Sequence, residues 1–227
     1  MKRILVSAAA ALILSLPSLK ALEPYFCTKQ GTKLNYVRTN VEDASVRWNH
    51  VMTIESTLRS GDKTEIGYSS RFSKANGKSM YGGPVKLHAE IGVDGSVKMD
   101  VAQSVASVFS NLAGSRIIKS TGGETVLPAD MKPNDRLPDA VGTASAGPVH
   151  LTVEVTERQV LRSETVVTPA GTFDCMVVRE HKVEKGLRNR ITTALTWYAR
   201  GVGMVRHDTY DKDMVLETSE ILVSIGR

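Results

Sequence analysis

Alternation of apolar and polar side chains is the feature that most limits how this chain can fold. Between residues 85 and 93 every second side chain is apolar, and Lys86, His88 and Glu90 lie between them. Successive side chains of a strand point to opposite faces, so this pattern predicts a strand with one buried face. Asp94–Gly95 follows, a pair typical of two-residue turns with positive φ at both positions, before apolar residues alternate again over 97–101. We therefore predict a β-hairpin.

The same period of two recurs through most of the chain. It predicts further strands at residues 46–54, 66–72, 149–155, 159–167, 175–183, 190–199, 202–210 and 214–225. Short turns join these segments, which favours an antiparallel meander in a mainly β protein.

Two stretches depart from this period. Val105, Val108, Phe109 and Leu112 recur at helical spacing, so we predict one amphipathic helix over 102–112 that ends near Gly114. Residues 122–148 carry four X-Pro steps, and prolines at this density favour a long connection over the sheet instead of a central strand.

The first residues have the order of a secretory signal. Lys2 and Arg3 precede an apolar run over residues 4–16, which Pro17 ends, and Ala21 supplies a small residue before a cleavage site. The run is shorter than the roughly 20 apolar residues that span a bilayer. We predict a cleavable signal peptide at 1–21, one β-rich domain at 22–227, no transmembrane segment, and a location in the periplasm or outside the cell. Anchoring through Cys27 is disfavoured by the bulky residues before it.

Charge and cysteine content narrow the function. The chain has 29 Lys and Arg against 24 Asp and Glu, and removing Lys2, Arg3 and Lys20 leaves 26 against 24, a net charge of +2. The remaining basic residues are dispersed, which disfavours nucleic-acid binding. After export, Cys27 and Cys175 would be in an oxidising compartment, so we predict a disulfide between them. A redox thiol is the alternative, but no C-x-x-C pair supports it.

No motif for catalysis or metal binding emerges. The five histidines are dispersed, and the acidic group around Asp211 falls at a predicted turn. The segment 142–147 has the wrong spacing for a serine-hydrolase elbow. We therefore predict no catalytic residue, no metal site and no cofactor.

Several motifs carry a family resemblance. These are Thr168–Cys175 (TPAGTFDC), Trp197–Gly203 (WYARGVG), Cys27–Leu34 and the stretch from Leu127 to Asp139. Together they resemble a family of secreted β-rich proteins of Gram-negative envelopes that is known as a domain of unknown function. The resemblance implies a fold like that of periplasmic lipoprotein carriers: a curved antiparallel sheet or half-barrel with one or more helices packed in its mouth. It supplies no catalytic residue.

Three functional hypotheses follow. The first is a non-enzymatic envelope protein that binds a lipid or other hydrophobic ligand on the concave face of the sheet. Its apolar lining would be Trp48, Met52, Leu87, Ile91 and Met99, with Phe109 on the helix above them. These residues could instead fill a core. The second hypothesis is a structural or interaction module for an envelope protein partner, and the third is a hydrolase assembled from distant strands.

Overall fold

A computed structural model describes residues 22–113, 118–186 and 189–227. The predicted signal peptide, its cleavage site and the predicted helix stop at Gly114 lie outside these residues. The described elements are β1 (Lys33–Asn40), β2 (Val46–Ser60), β3 (Lys63–Ser73), β4 (Val85–Gly92), β5 (Val97–Asp100), α1 (Val101–Ala113), β6 (Lys119–Gly122), β7 (Glu124–Leu127), β8 (Ala140–Ala146), β9 (Val149–Thr168), β10 (Gly171–Gly186), β11 (Arg190–Ala199), β12 (Gly203–Tyr210) and β13 (Leu216–Gly226).

The strands form one antiparallel sheet that nearly closes into a barrel. Its order is β6-β8-β9-β10-β11-β12-β13-β1-β2-β3-β4-β5-β7. The two edge strands are consecutive in the chain and flank Gly123. β6 pairs with β8, whereas β7 pairs with β5. The segment 119–127 therefore connects the two edges of the sheet. The predicted mainly β fold with a curved sheet is confirmed.

The β4–β5 hairpin is confirmed, but its turn differs from the prediction. Gly92 N donates to Ser96 O at 2.9 Å, which encloses a three-residue loop. Only Gly95 of the Asp94–Gly95 pair has positive φ (85°). Asp94 Oδ1 instead accepts the Ser96 N–H at 2.9 Å. Three-residue hairpin loops place a single left-handed glycine at this position, so one glycine is sufficient.

The stretch 122–148 is not the strand-free connection that we expected. It contains β7 and β8, and β8 pairs with β9 over its whole length. The inward residues of β8 are Ala140, Gly142, Ala144 and Ala146, which are too small to reveal a buried face by hydrophobicity. The segment 142–147, which resembled a hydrolase elbow, therefore belongs mainly to a strand. β1 and β6 were also not predicted.

The small residues of β8 provide room for the helix. A Cβ atom on Gly142 would lie 2.8 Å from Ala102 N, so α1 packs directly on the strand backbone. Asp100 Oδ1 accepts the Gln103 N–H at 2.9 Å and caps the helix N-terminus. Val101, Val105 and Phe109 are buried against β8 and β9. The predicted helix is thus confirmed and lies in the mouth of the barrel; the side chains of Val108 and Leu112 lie outside the described part. No helix among the described residues is long and apolar enough for a membrane span.

The antiparallel order gives the barrel two ends, which we name by their turns. The lower end carries the β2–β3, β4–β5, β9–β10 and β11–β12 turns, and the upper end carries the β1–β2, β10–β11 and β12–β13 turns together with α1. We call the interior nearest each end the lower half and the upper half. The lower half contains an apolar core that includes Leu34, Ile54, Ile66, Leu127 and Leu222.

Two segments seal the lower end. Residues 22–27 cross it, where Tyr25, Phe26 and Cys27 are buried in the core. Gly201 N donates to Pro24 O at 2.8 Å, and Arg200 donates to Glu23 O and Ala129 O. The loop 128–139 also contributes buried side chains to this end. These two segments therefore close the lower end, and packed apolar side chains fill the lower half.

The sheet buries part of its opposite face as well. On β10–β12, Val178 belongs to the interior core, whereas Val177, Trp197 and Val205 form a separate buried cluster with Cys175. β9 contacts β13, which lies four positions away in the sheet. The long β9–β10 hairpin therefore curls over the outside of β11–β13.

Candidate functional site

The six predicted lining residues divide among three places. Met52 and Ile91 are buried in the lower-half core, and Leu87 and Met99 are half-buried against it. Phe109 is buried under the helix. Trp48 lies near the upper end, where its ring contacts Phe72 edge-on at 6.4 Å between centroids. The structure thus brings four of the six together.

A cluster of charged and polar side chains in the upper half was not predicted. We define the charged cluster as Arg38, His50, Ser70 and Glu220. Arg38 Nε lies 2.8 Å from Glu220 Oε2, and His50 Nδ1 lies 2.8 Å from Glu220 Oε1. His50 Nε2 lies 3.0 Å from Ser70 Oγ. His50, Ser70 and Glu220 are buried.

Strand register assembles this cluster from four neighbouring strands. Glu220 of β13 is opposite Arg38 of β1, and His50 of β2 is opposite both Tyr36 of β1 and Phe72 of β3. The His50 ring stacks between those two rings, at 5.0 Å from Tyr36 and 4.4 Å from Phe72. The two stacked rings therefore fix the plane of the imidazole, and its two hydrogen bonds fix the directions in which its nitrogen atoms point.

The electrostatics of the upper half favour an ionised Glu220 and a neutral His207. Burial raises the pKa of Glu220, but the hydrogen bond from His50 and the positive charge of Arg38 outweigh it and lower that pKa to about 2. Burial, followed by the charge of Arg38, lowers the pKa of His207 to about 4. His207 Nδ1 lies 2.8 Å from Thr196 Oγ1. A fixed negative charge therefore lies beside a neutral imidazole.

A recess lies at the top of β10–β13, where Val183 and Ile191 share the outer face of the sheet with Val177 and Trp197. Its volume is about 740 Å³, and Arg190 is also among its lining residues. Arg190 also forms an ion pair with Glu217 there. Nearby, Arg38 lies over the ring of Trp48 at 4.8 Å, and Trp48 Nε1 is buried without a hydrogen-bond partner. The Trp48 ring therefore lies beside the charged cluster, in contact with its guanidinium group.

The charged cluster shares the connectivity of a catalytic triad but has different surroundings. Ser70, His50 and Glu220 are connected in the order of a serine–histidine–carboxylate triad. However, Arg38 shares Glu220, and the Ser70 side chain is buried. Among the described residues, no group of three or more His, Cys, Asp or Glu is arranged to hold a metal ion.

The predicted cysteine pair is not formed in the structure, which has Cys27 and Cys175 as buried free thiols. Burial and the nearby carboxylates of Asp174 and Glu164 raise the pKa of Cys175 to about 12. Cys175 is opposite Ala199, which is opposite Gly203, and a Cβ atom on Gly203 would lie 3.9 Å from Cys27 N. The two cysteines thus lie in neighbouring parts of the lower end, and the disulfide stays a prediction.

The fold and its site define a nearly closed β-barrel with a helix in its mouth and charges in one half. The chain belongs to the DUF3108-like family, whose model matches residues 29–222. This confirms the resemblance to a domain of unknown function. No curated protein sequence matches the chain.

Two solved structures share the fold. One is a candidate exported protein with a YmcC-like fold from Bacteroides fragilis, with a TM-score of 0.73 and 21% identity over 91% of this chain and 100% of that one. The other is a candidate lipoprotein from Parabacteroides distasonis, with a TM-score of 0.74 and 17% identity over 90% of this chain and 99% of that one. At these identities the likeness extends to the fold alone.

Proposed function

We propose that this protein is an exported, non-enzymatic component of a bacterial envelope that binds a lipid or another amphipathic molecule inside its barrel. The observation that carries the proposal is the division of the interior into an apolar lower half and a charged upper half. Buried charges contribute little net stability compared with apolar residues of similar size. Their concentration in one half of the interior favours a role in binding.

The expected pose follows from that division. Leu87 and Met99 are half-buried on the interior face, so they retain apolar surface that a ligand can cover. Arg38 and Trp48 offer a cationic group and an indole N–H near the upper end. The apolar part of the ligand would contact Leu87 and Met99, and its polar part would lie toward Arg38.

Analysis of bound molecules is the direct test. The protein is purified from the periplasm and denatured, and released compounds are identified by mass spectrometry. We expect an amphipathic compound that is absent from a parallel purification of an unrelated periplasmic protein. Release of no apolar compound would contradict the proposal and favour the interaction-module hypothesis.

Variants locate the binding surface. A fluorescent fatty acid is titrated into wild type and into a Leu87→Ala, Met99→Ala double variant, in which we expect about tenfold weaker binding because two apolar contacts are lost. Leu58→Ala is the matched control, because Leu58 is exposed. Equal binding by all three proteins would place the ligand elsewhere.

A second candidate function, a serine hydrolase, is favoured by the Ser70–His50–Glu220 hydrogen-bond chain. A fluorophosphonate probe reacts with activated serines. Labelling of wild type but not of Ser70→Ala would support the hydrolase, whereas an unlabelled wild type would remove it.

Export, signal cleavage and the disulfide belong to the same proposal. Neighbours of this fold are described as a candidate exported protein and a candidate lipoprotein. The intact mass of the periplasmic protein should correspond to a chain that begins at Leu22, with Cys27 and Cys175 resistant to alkylation until a reductant is added. A cytoplasmic protein with two alkylated thiols would contradict it.

A further inference from the structure

The long β9–β10 hairpin leaves part of a strand edge open. β10 runs along one side of β9, whereas β8 pairs with the other side only over residues 149–155. The loop 128–139 continues along that side through backbone hydrogen bonds to Arg158 and Val160. Beyond Val160, no strand in the described part of the chain pairs with this side of β9. We call residues 162–168 of β9 the open edge.

The turn at the end of the hairpin determines which backbone groups point outward from the open edge. Thr168 is opposite Gly171 across a two-residue turn. Because Pro169 has no N–H, Thr168 and Gly171 must exchange the hydrogen bonds that close the turn. Bonded and non-bonded pairs then alternate along the antiparallel ladder. The residues whose N–H and C=O groups point away from β10 are therefore Ser163, Thr165 and Val167. These groups have no hydrogen bond to any other described residue.

The side chains of the open edge do little to prevent pairing with another strand. Edge strands that resist pairing often carry lysine or another exposed charge. Here Arg162 and Glu164 neutralise each other, since Arg162 Nη2 lies 2.6 Å from Glu164 Oε2. Val167 is 78% exposed, the largest fraction of any large apolar side chain described. The open edge is therefore neutral, rich in threonine and valine, and partly apolar.

A second copy of this chain fits the open edge best in one antiparallel register. In a two-fold symmetric pair of strands, one residue lies opposite its own copy. Centring the pair on Arg162 or Glu164 would place like charges opposite each other, which is unfavourable. Centring it on Ser163 would bring the second strand against Val160, where the loop is already bonded. Centring it on Thr165 pairs the whole open edge with itself and leaves that loop undisturbed.

We propose that two copies of this protein associate by antiparallel pairing of their open edges, with Thr165 opposite its own copy. Ser163 of each copy then lies opposite Val167 of the other, so the exposed valine gains contacts and the outward backbone groups gain partners. Strands of this length make a small interface, so the dimer is weak and its population depends on concentration. The open edge shares no residue with the charged cluster or with the predicted apolar lining. The proposal is therefore independent of ligand binding.

Sedimentation velocity and hydrogen exchange of the full mature chain test the pairing. We expect a dimer whose fraction rises with protein concentration. Exchange of the Ser163, Thr165 and Val167 N–H groups should slow over the same concentrations. The Glu164 and Val166 N–H groups bond to β10, so their exchange should not change. A wild type that remains a monomer up to its solubility limit overturns the proposal, and so does a dimer in which the three outward N–H groups are not protected.

Thr165→Pro removes the central N–H of the proposed pairing from both copies. This N–H has no partner in the monomer, and proline is tolerated at such positions of edge strands, so the fold should be retained. We expect dimerisation to be at least about thirtyfold weaker, because two hydrogen bonds are lost. Thr165→Val is the matched control. Like the proline, it loses the 2.7 Å bond from Thr165 Oγ1 to Asp174 Oδ1, but it keeps the N–H and should dimerise like wild type. Equal dimerisation by the proline variant and wild type contradicts the proposal.

Two double variants test the register without proline. Residues 163 and 167 are about 13 Å apart along one strand, but they lie opposite each other across the proposed dimer. Ser163→Lys with Val167→Glu places opposite charges across the dimer and should associate. Ser163→Glu with Val167→Glu places like charges there and should stay monomeric. Both variants change exposed side chains, so both should fold. Equal association of the two double variants would rule out the pairing.

Discussion

The lower and upper halves of the barrel are built from the same strands but filled with different chemistry. On β13, Leu222 belongs to the apolar core, whereas Glu220, two residues earlier on the same face, forms ion pairs with Arg38 and His50. On β2, Met52 and Ile54 are in the core and His50 is in the charged cluster. On each of these strands, the inward side chains thus change from charged or polar to apolar between residues two positions apart.

The two halves meet different requirements: one stabilises the fold, and the other places charges in the interior. Apolar packing and the sealing segment 22–27 provide the driving force for folding in the lower half. The upper half buries a carboxylate and a guanidinium whose desolvation offsets much of their attraction. The lower half therefore specifies the barrel, and the upper half gives it a polar interior at some cost in stability.

The largest expected effect comes from breaking the charge balance of the upper half. Glu220→Gln leaves the half-buried Arg38 without its carboxylate partner, and we expect a loss of about 4 kcal/mol in the free energy of unfolding, measured with urea. The combined replacement of Arg38 by Met and Glu220 by Leu removes both charges and should recover most of this loss. If the single variant were as stable as wild type, the ion pair would be irrelevant to the fold.

Truncation in the lower half should cost somewhat less. Leu222 is fully buried, so Leu222→Ala removes apolar contacts and leaves a cavity, for a loss of about 3 kcal/mol. Leu58→Ala, at a leucine that is 62% exposed, should change stability by less than about 0.5 kcal/mol. Equal losses in the two urea titrations would mean that the lower half is not a close-packed core.

Much of the secondary structure could be predicted from the sequence, because it depends on local periodicity. The bounds predicted for β11, 190–199, match the structure, and helix α1 lies where its period predicted it. β8 escaped prediction because its inward residues are alanine and glycine, whose purpose becomes apparent only with α1 lying on them. β1 escaped because its inward face includes Arg38.

The charged cluster could not be predicted, because it depends on register between distant strands. In the sequence, His50 is only a polar residue that alternates with Trp48 and Met52 on a predicted strand. Its partner Glu220 is 170 residues away, and the β1–β13 and β1–β2 pairings bring them together. The grouping of Met52, Leu87, Ile91 and Met99 could be predicted, because all four lie on the predicted inward faces of strands.

Acid should weaken the upper half before it affects the lower half. The pKa of His207 is lowered from 6.5 to about 4 in the folded state, chiefly by burial. The unfolded chain therefore binds the proton first, so stability is fully present above pH 6.5 and is lost as the pH falls toward 4. We expect a loss of roughly 2 kcal/mol between about pH 7 and about pH 5.

The control for this pH dependence is His207→Gln, which should flatten the curve over the same interval. Below the ordinary pKa of 4.5, Glu220 adds a further loss, because its folded-state pKa is lowered to about 2. A wild-type curve that stays level down to pH 5 would show that His207 is protonated without cost in the folded barrel.

The smallest expected effect tests how the lower end is sealed. Gly95 and Gly77 have similar positive φ values, 85° and 81°, but a Cβ atom on Gly95 would meet the carbonyl oxygen of Leu22, whereas one on Gly77 would meet nothing within 4 Å. Gly77→Ala should therefore cost about 1 kcal/mol for the backbone conformation alone. Gly95→Ala should cost about 1 kcal/mol more, because residues 22–27 must shift. Hydrogen exchange of the Gly201 N–H, which donates to Pro24 O, should accelerate relative to wild type only in Gly95→Ala. Equal losses of stability, with no change at Gly201, would show that the segment 22–27 does not hold the lower half closed.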